Sequence, residues 1–221
     1  MIERVLEPEL MDDPIEAEAY DDMDHDEVNQ IFIDDLLALG PCGRDVLDLG
    51  TGNALIPTLL CERVKECRVL ASDAAVSMLE VARYNIALAG FEERIELHHG
   101  DSKALLFDDS QFDAVISNSL IHHVPDPSTV VREVARLIRP GGRIFFRDLM
   151  RPESLERVEE LVGLYAGGES DECQQLFRQS LRAALTVDEM QKLVVDAGFD
   201  AEAVAATSDR HWTWTALRSG A

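Results

Sequence analysis

Asp45-Val46-Leu47-Asp48-Leu49-Gly50-Thr51-Gly52-Asn53-Ala54 decides how the rest of the chain is read. A mostly apolar run, Val46 to Leu49, stops at two glycines one residue apart. Leu55-Ile56-Pro57-Thr58-Leu59-Leu60 follows with helical spacing. The pattern predicts a buried strand, a tight turn and a helix N-terminus. Gly50 and Gly52 have no Cβ, so the backbone can turn sharply and approach a ligand. The helix start adds free N–H groups and partial positive charge, which suit a carboxylate or phosphate.

Asp73 closes the next apolar run, Arg68 to Ser72. A glycine turn followed about 20 residues later by such an acid places a nucleotide ribose in a βαβ unit. The dinucleotide fingerprint needs a third glycine, and Leu55 stands there. That residue and the lack of a Tyr-x-x-x-Lys pair disfavour an NAD(P)-dependent dehydrogenase. Asp48, beside the turn, suits a cationic ligand instead.

The 221 residues suffice for one α/β domain with its own core. No stretch is apolar enough to span a bilayer. The acidic start does not read as an export signal, so a cytoplasmic protein is expected. Cys42, Cys61, Cys67 and Cys173 show no Cys-x-x-Cys spacing and read as scattered reduced thiols. The net charge of −23 repels phosphate backbones and anionic membranes, so neither nucleic acid nor membrane is an expected partner.

Asp48-Leu49-Gly50-Thr51-Gly52-Asn53-Ala54 resembles the first motif of class I S-adenosylmethionine-dependent methyltransferases, acid-x-Gly-x-Gly-x-Gly, with alanine for the last glycine. Three further motifs follow in that family's order. Gly100-Asp101-Ser102 ends an expected strand over 94–98. Asn118-Ser119-Leu120-Ile121-His122-His123 follows an expected strand over 112–117 and resembles the fourth motif of small-molecule enzymes, including those that methylate quinone precursors. Arg139-Pro140-Gly141-Gly142 leads into an expected strand over 143–149. The Asn-Pro-Pro-Tyr motif of base and glutamine N-methylating enzymes is not there.

The resemblance implies a Rossmann-like α/β fold. Its sheet has seven strands in the order 3-2-1-4-5-7-6, strand 7 antiparallel, with helices on both faces. It implies S-adenosylmethionine as cofactor, a small-molecule acceptor and methyl transfer from sulfonium. Asp48, Gly50, Thr51 and Gly52 would meet the methionine end, Asp73 and Ala74 the ribose, and Met78, Asp101 and Ser102 the adenine. Asn118 and Ser119 would flank the methionine end. His122, His123 and Asp148 are the candidate catalytic residues. No further ligand at a telling spacing accompanies the two imidazoles, so no metal centre is expected. A non-catalytic cofactor-binding protein is the alternative.

Residues 1–40 read as an acidic helical arm or cap, and 41–221 as the binding domain. Tyr20 and His25 on the arm are candidate pocket residues. Helices over 152–165 and 171–184 form a lid-like insertion, with Phe177 and Arg178 toward the substrate. The oligomeric state, including a homodimer, is left open.

Overall fold

The computed structural model describes residues 2–7, 12–14, 17, 21 and 26–220. The Asp45 stretch folds as its pattern predicts. Strand β1 (Asp45–Leu49) is followed by helix α2 (Leu55–Arg63), after a first helix α1 (Asp26–Ala38). Then come β2 (Arg68–Asp73), α3 (Val76–Ala89), β3 (Ile95–His99) and β4 (Phe112–Asn118). A 3₁₀ turn, Ile121–His123, leads to α4 (Pro127–Leu137) and β5 (Ile138–Leu149). Helices α5 (Leu155–Tyr165), α6 (Asp171–Ala183) and α7 (Val187–Asp196) precede β6 (Val204–Ala206) and β7 (His211–Leu217).

The seven strands lie in the order β3-β2-β1-β4-β5-β7-β6. The first five run parallel and β7 runs antiparallel to both neighbours. The expected order and the reversed last strand are both present. Parallel strands need helical crossovers, which cover both sheet faces and leave the central strands apolar throughout. One face packs Leu47, Val115 and Ile144 against α4 and α7. The other packs Val46, Ala114 and Phe145 against Phe32, Ile33 and Leu36 of α1 and Leu60 and Cys61 of α2.

The helical ends show their local causes. Asp126 caps α4 through its carboxylate, which accepts the Ser128 N–H. Thr186 and Glu189 form a complete capping box on α7. Gly90 ends α3 with φ +76°, where a side chain would be strained.

Several details differ from the sequence pattern. Strand β5 begins at Ile138, not Arg143. Phe112 pairs with Ile138, the next register pair is Ala114 with Arg143, and the Pro140-Gly141-Gly142 turn bulges between them. In α3, Val76 and Leu88 are exposed. The buried face is Met78, Leu79, Ala82 and Ile86. On α1, Val28, Ile31 and Leu39 are exposed, and Ile33 joins Phe32 and Leu36 inside. Both helices carry apolar residues on more than one side, so spacing alone does not single out the buried stripe.

Helices α5 and α6 pack on each other over Leu149, Val158, Leu161 and Leu181, with Phe177 at the edge. The chain's first residues join them. The Val5 N–H donates to the Arg182 carbonyl, and Arg4 donates to the carbonyls of Ala183, His122 and Val124. Residues 2–7 thus lie as a strap between α6 and the 3₁₀ turn.

Candidate active site at the carboxyl edge of the sheet

The turn after β1 is held open by its neighbour strand. The Gly50 and Thr51 N–H groups both donate to the Ser72 carbonyl. Gly50 has φ +69°, and a Cβ there would come within 2.9 Å of Leu120. Gly52 has φ +54°, with nothing within 4 Å of where a Cβ would stand. Ala54, in place of the motif's third glycine, also takes a left-handed backbone, φ 60°. An L-residue there costs about 1–2 kcal/mol, and the Ala54 methyl is buried among Leu60 and Cys61.

A small cavity of about 40 Å³ lies at the turn. Asp48, Gly50, Thr51, Gly52 and Asn118 line it, as the sequence implied, and Asn29, Asn53 and Ile56 join them. No local pattern singled out those last three. Asn53 is itself fixed, its amide donating to the Asp21 carboxylate 2.8 Å away.

Asp48 is buried, 2% exposed, and accepts from the Thr51 hydroxyl at 2.7 Å. Burial pushes its carboxyl up to about 7, against the Thr51 hydrogen bond, and the nearby Asp73 charge adds to the rise. A buried acid this reluctant to ionise gains most from a cationic ligand.

Asp73 closes β2 and ties two turns together. Its Oδ2 accepts the Gly52 N–H at 2.8 Å and its Oδ1 the Ala75 N–H at 2.9 Å. Each oxygen keeps a further lone pair for a sugar hydroxyl. Burial raises its pKa, while the N–H groups of Ala75 and Gly52 oppose the rise. The Ala74 carbonyl meets the His99 ring. Met78 packs against Ala17 and Ala75. Asp101 and Ser102 sit at the end of β3, with Asp101 accepting the Lys103 N–H and pairing with its ammonium. Ser119 has φ 59°, a second strained non-glycine position at this edge.

Next to Asn118 and Ser119 a second group of polar side chains gathers. Asp148, at the end of β5, is fully buried. Its Oδ2 accepts the backbone N–H groups of Ile121 and His122. Its Oδ1 lies 2.5 Å from His122 Nδ1. Burial disfavours charge on His122, but Asp148 and Glu7 outweigh it and raise its pKa. His123 stacks beside His122 with ring centroids 4.1 Å apart. All three sequence candidates thus meet.

Glu7 completes the group. Its Oε1 lies 3.4 Å from His122 Nε2 and 3.1 Å from His123 Nδ1. Nothing near Glu7 in the sequence announced it, because it arrives from the far end of the chain. Phe177 packs within the α5–α6 pair, and Arg178 faces solvent in an ion pair with Glu159. Tyr20 and His25 lie outside the described residues.

The open glycine turn, the buried acid, the ribose-type aspartate and this strand order define a class I S-adenosylmethionine-dependent methyltransferase domain. Residues 47–146 match the family model described as a methyltransferase domain. The chain is 29% identical over 180 residues to 27-O-demethylrifamycin SV methyltransferase of Amycolatopsis mediterranei, covering 80% of this chain and 62% of that protein. It is 31% identical over 121 residues to ubiquinone biosynthesis O-methyltransferase of Stutzerimonas stutzeri, covering 54% and 50%. An O-methyltransferase family protein from Burkholderia thailandensis shares the fold, with a TM-score of 0.71 at 20% identity over 94% of this chain and 61% of that one. The chain spans about half the length of the curated relatives it matches. The cofactor of the class is S-adenosylmethionine, and the residues fit it. Space stands open above Gly52, a buried carboxylate faces it and Asp73 keeps free acceptor capacity.

Proposed function

We propose that the protein transfers a methyl group from S-adenosylmethionine to a hydroxyl oxygen of a small-molecule acceptor, held beside Asn118, His122 and Asp148. One observation carries the reading: the His122–Asp148 pair sits at the ends of β4 and β5, adjacent to the strand-end residues that border the glycine turn. Ligands in open α/β sheets bind at that edge. Five relatives are named as O-methyltransferases, which supports oxygen as the acceptor atom.

S-adenosylmethionine supplies the methyl group, its S–CH₃ bond breaking as the new O–CH₃ bond forms. The residues' task is largely positional. Gly50 and Gly52 let the backbone come close, Asp48 balances positive charge and Asp73 grips the sugar. Holding donor and acceptor in line can supply roughly 7–11 kcal/mol. Asp148 fixes the His122 ring through two backbone anchors and one side-chain bond. The hydroxyl proton leaves to solvent beside the His122–His123 cluster. Helices over 152–184 and the strap of residues 2–7 act as covers over the acceptor. The anionic surface, net charge −23, favours a small molecule over nucleic acid. Unpaired Cys42, Cys61, Cys67 and Cys173 suit a reducing, cytoplasmic setting.

The test is label transfer from methyl-labelled S-adenosylmethionine to a panel of hydroxylated aromatic and macrocyclic compounds. O-methylated product is expected. Asp148→Asn is expected to lower kcat by about 100-fold or more with cofactor affinity unchanged. Product methylated only at nitrogen or carbon overturns the choice of oxygen, and an unchanged kcat in Asp148→Asn removes the pair from the reaction.

A further inference from the structure

The cluster around His122 has an arrangement that methyl transfer alone does not explain. Asp148 Oδ1 lies against His122 Nδ1, and in the neutral ring that donates there Nε2 carries the lone pair. Facing it at 3.4 Å is Glu7 Oε1, and His123 Nδ1 is 3.1 Å from that same oxygen. The Glu7 side chain is only 6% exposed. Its Oε1 accepts no hydrogen bond among the described residues. An orphaned, buried carboxylate oxygen carries a large desolvation cost.

Nor is Glu7 there by accident of a loose end. The Ser180 hydroxyl donates to its other oxygen, Oε2, at 3.1 Å. Three residues earlier Arg4 clamps the strap to the carbonyls of Ala183, His122 and Val124. One carboxylate oxygen is anchored, and the other is aimed at two imidazoles.

We propose that Glu7, His122 and His123 form a binding site for a divalent first-row cation, Zn²⁺ by preference, with a fourth position open to the acceptor's hydroxyl oxygen. The three ligand atoms all lie within 4.8 Å of one another. Zn–N and Zn–O bonds of about 2.0–2.2 Å put tetrahedral ligands about 3.3–3.6 Å apart. The observed 3.1 and 3.4 Å are close to that spacing. Two imidazoles and one carboxylate with a free fourth position is a donor set of catalytic zinc. Asp148 then has the part of the outer carboxylate that orients a ligating histidine and raises its basicity.

The inference rests on the proposed O-methyl transfer for the acceptor's place and deepens it. A hydroxyl bound at the open position loses its proton to solvent more readily, because the cation stabilises the oxyanion. That oxygen then forms the new O–CH₃ bond.

The test uses the full chain, reduced, stripped with a chelator and titrated with ZnCl₂ by calorimetry. Thermal melting runs in parallel. One high-affinity equivalent is expected, with a rise in melting temperature on adding Zn²⁺. Glu7→Gln keeps the shape of the strap, and His123→Ala changes a half-exposed ring. Each is expected to weaken binding at least tenfold, and Asp148→Asn by about 10–100-fold. The buried thiols are common to all variants, so the difference between proteins reads this site. No binding to the wild type, or equal binding in all four proteins, overturns the inference. A proton shared by imidazole and carboxylate gives that result. Full O-methyl transfer by metal-free protein also overturns it, while leaving the proposed function standing. Zn²⁺ bound at the site with no transfer to any hydroxyl supports the metal site and sinks the proposed reaction instead.

Discussion

Asp48→Asn should stabilise the ligand-free protein at neutral pH while weakening its hold on the cofactor. Asp48 is 2% exposed, and burial lifts its carboxyl from 3.8 to about 7. The unfolded chain keeps the ordinary value. An acid with a raised folded pKa costs stability as pH rises from the unfolded to the folded value, and the full cost holds above both. The difference of about 3 pH units at 1.36 kcal/mol each gives a cost of about 4 kcal/mol at pH 8. Asparagine removes that cost. Its oxygen can still accept from Thr51, but its amide finds no acceptor in the position of the second oxygen, a loss of about 1–3 kcal/mol. The net expectation is a gain of roughly 1–3 kcal/mol at pH 8, about 2–10 °C in melting temperature for a chain of this size. At pH 4 the sign reverses, because the folded carboxyl is then protonated, the unfolded one is partly protonated, and the small charge cost that remains is outweighed by the amide penalty. Melting of both proteins without cofactor from pH 4 to pH 8 reads the crossover. Calorimetry should show S-adenosylmethionine bound more weakly by the variant. A variant that melts lower than wild type by the same margin at both ends refutes the buried-charge argument.

Three other outcomes follow from the same geometry. Asp73→Ala removes the acceptor of the Gly52 and Ala75 N–H groups, so S-adenosylmethionine affinity should fall by about 10–100-fold. Equal affinity by calorimetry would exclude that role. Gly50→Ala should destabilise by about 2–4 kcal/mol, because left-handed strain adds to a 2.9 Å approach to Leu120. Gly52→Ala should cost only the strain, about 1–2 kcal/mol, yet lose more cofactor affinity, since its methyl would stand in the open space. Urea melts and cofactor titrations of both variants separate the two effects. His211 is held down to about 4, first by burial and then by Arg210 and Arg147. Its contribution is present above 6.5 and is lost as pH falls from 6.5 to 4. His211→Gln should flatten the stability profile in that window.

The sheet was legible because β1, β2 and β4 are apolar runs stopped by turn residues at their ligand-facing ends. The reversal of the last strand was legible only through the family resemblance; the sequence itself offered a strand covered on both faces, and Trp212, Thr213 and Trp214 are all buried. Boundaries inside α1 and α3 were less legible, since Val28, Ile31, Val76 and Leu88 are apolar and exposed. The glycine turn and Asp73 announce themselves by spacing along one crossover unit. The cluster at His122 does not. Asp148 was suggested by its strand end, but Glu7 reaches the imidazoles only through tertiary packing with α6, and no local periodicity encodes such a meeting.

The strap has a consequence for how the protein matures. Arg4 leaves the ribosome 179 residues before its partner Ala183, and Glu7 173 residues before Ser180. Translation at roughly 5–20 residues per second leaves those two side chains waiting for many seconds without the groups they bind. The sheet can assemble in the meantime. The pocket wall beside His122 closes only once α6 has been made, so Arg4→Ala should disturb this site while sparing the Rossmann-like core.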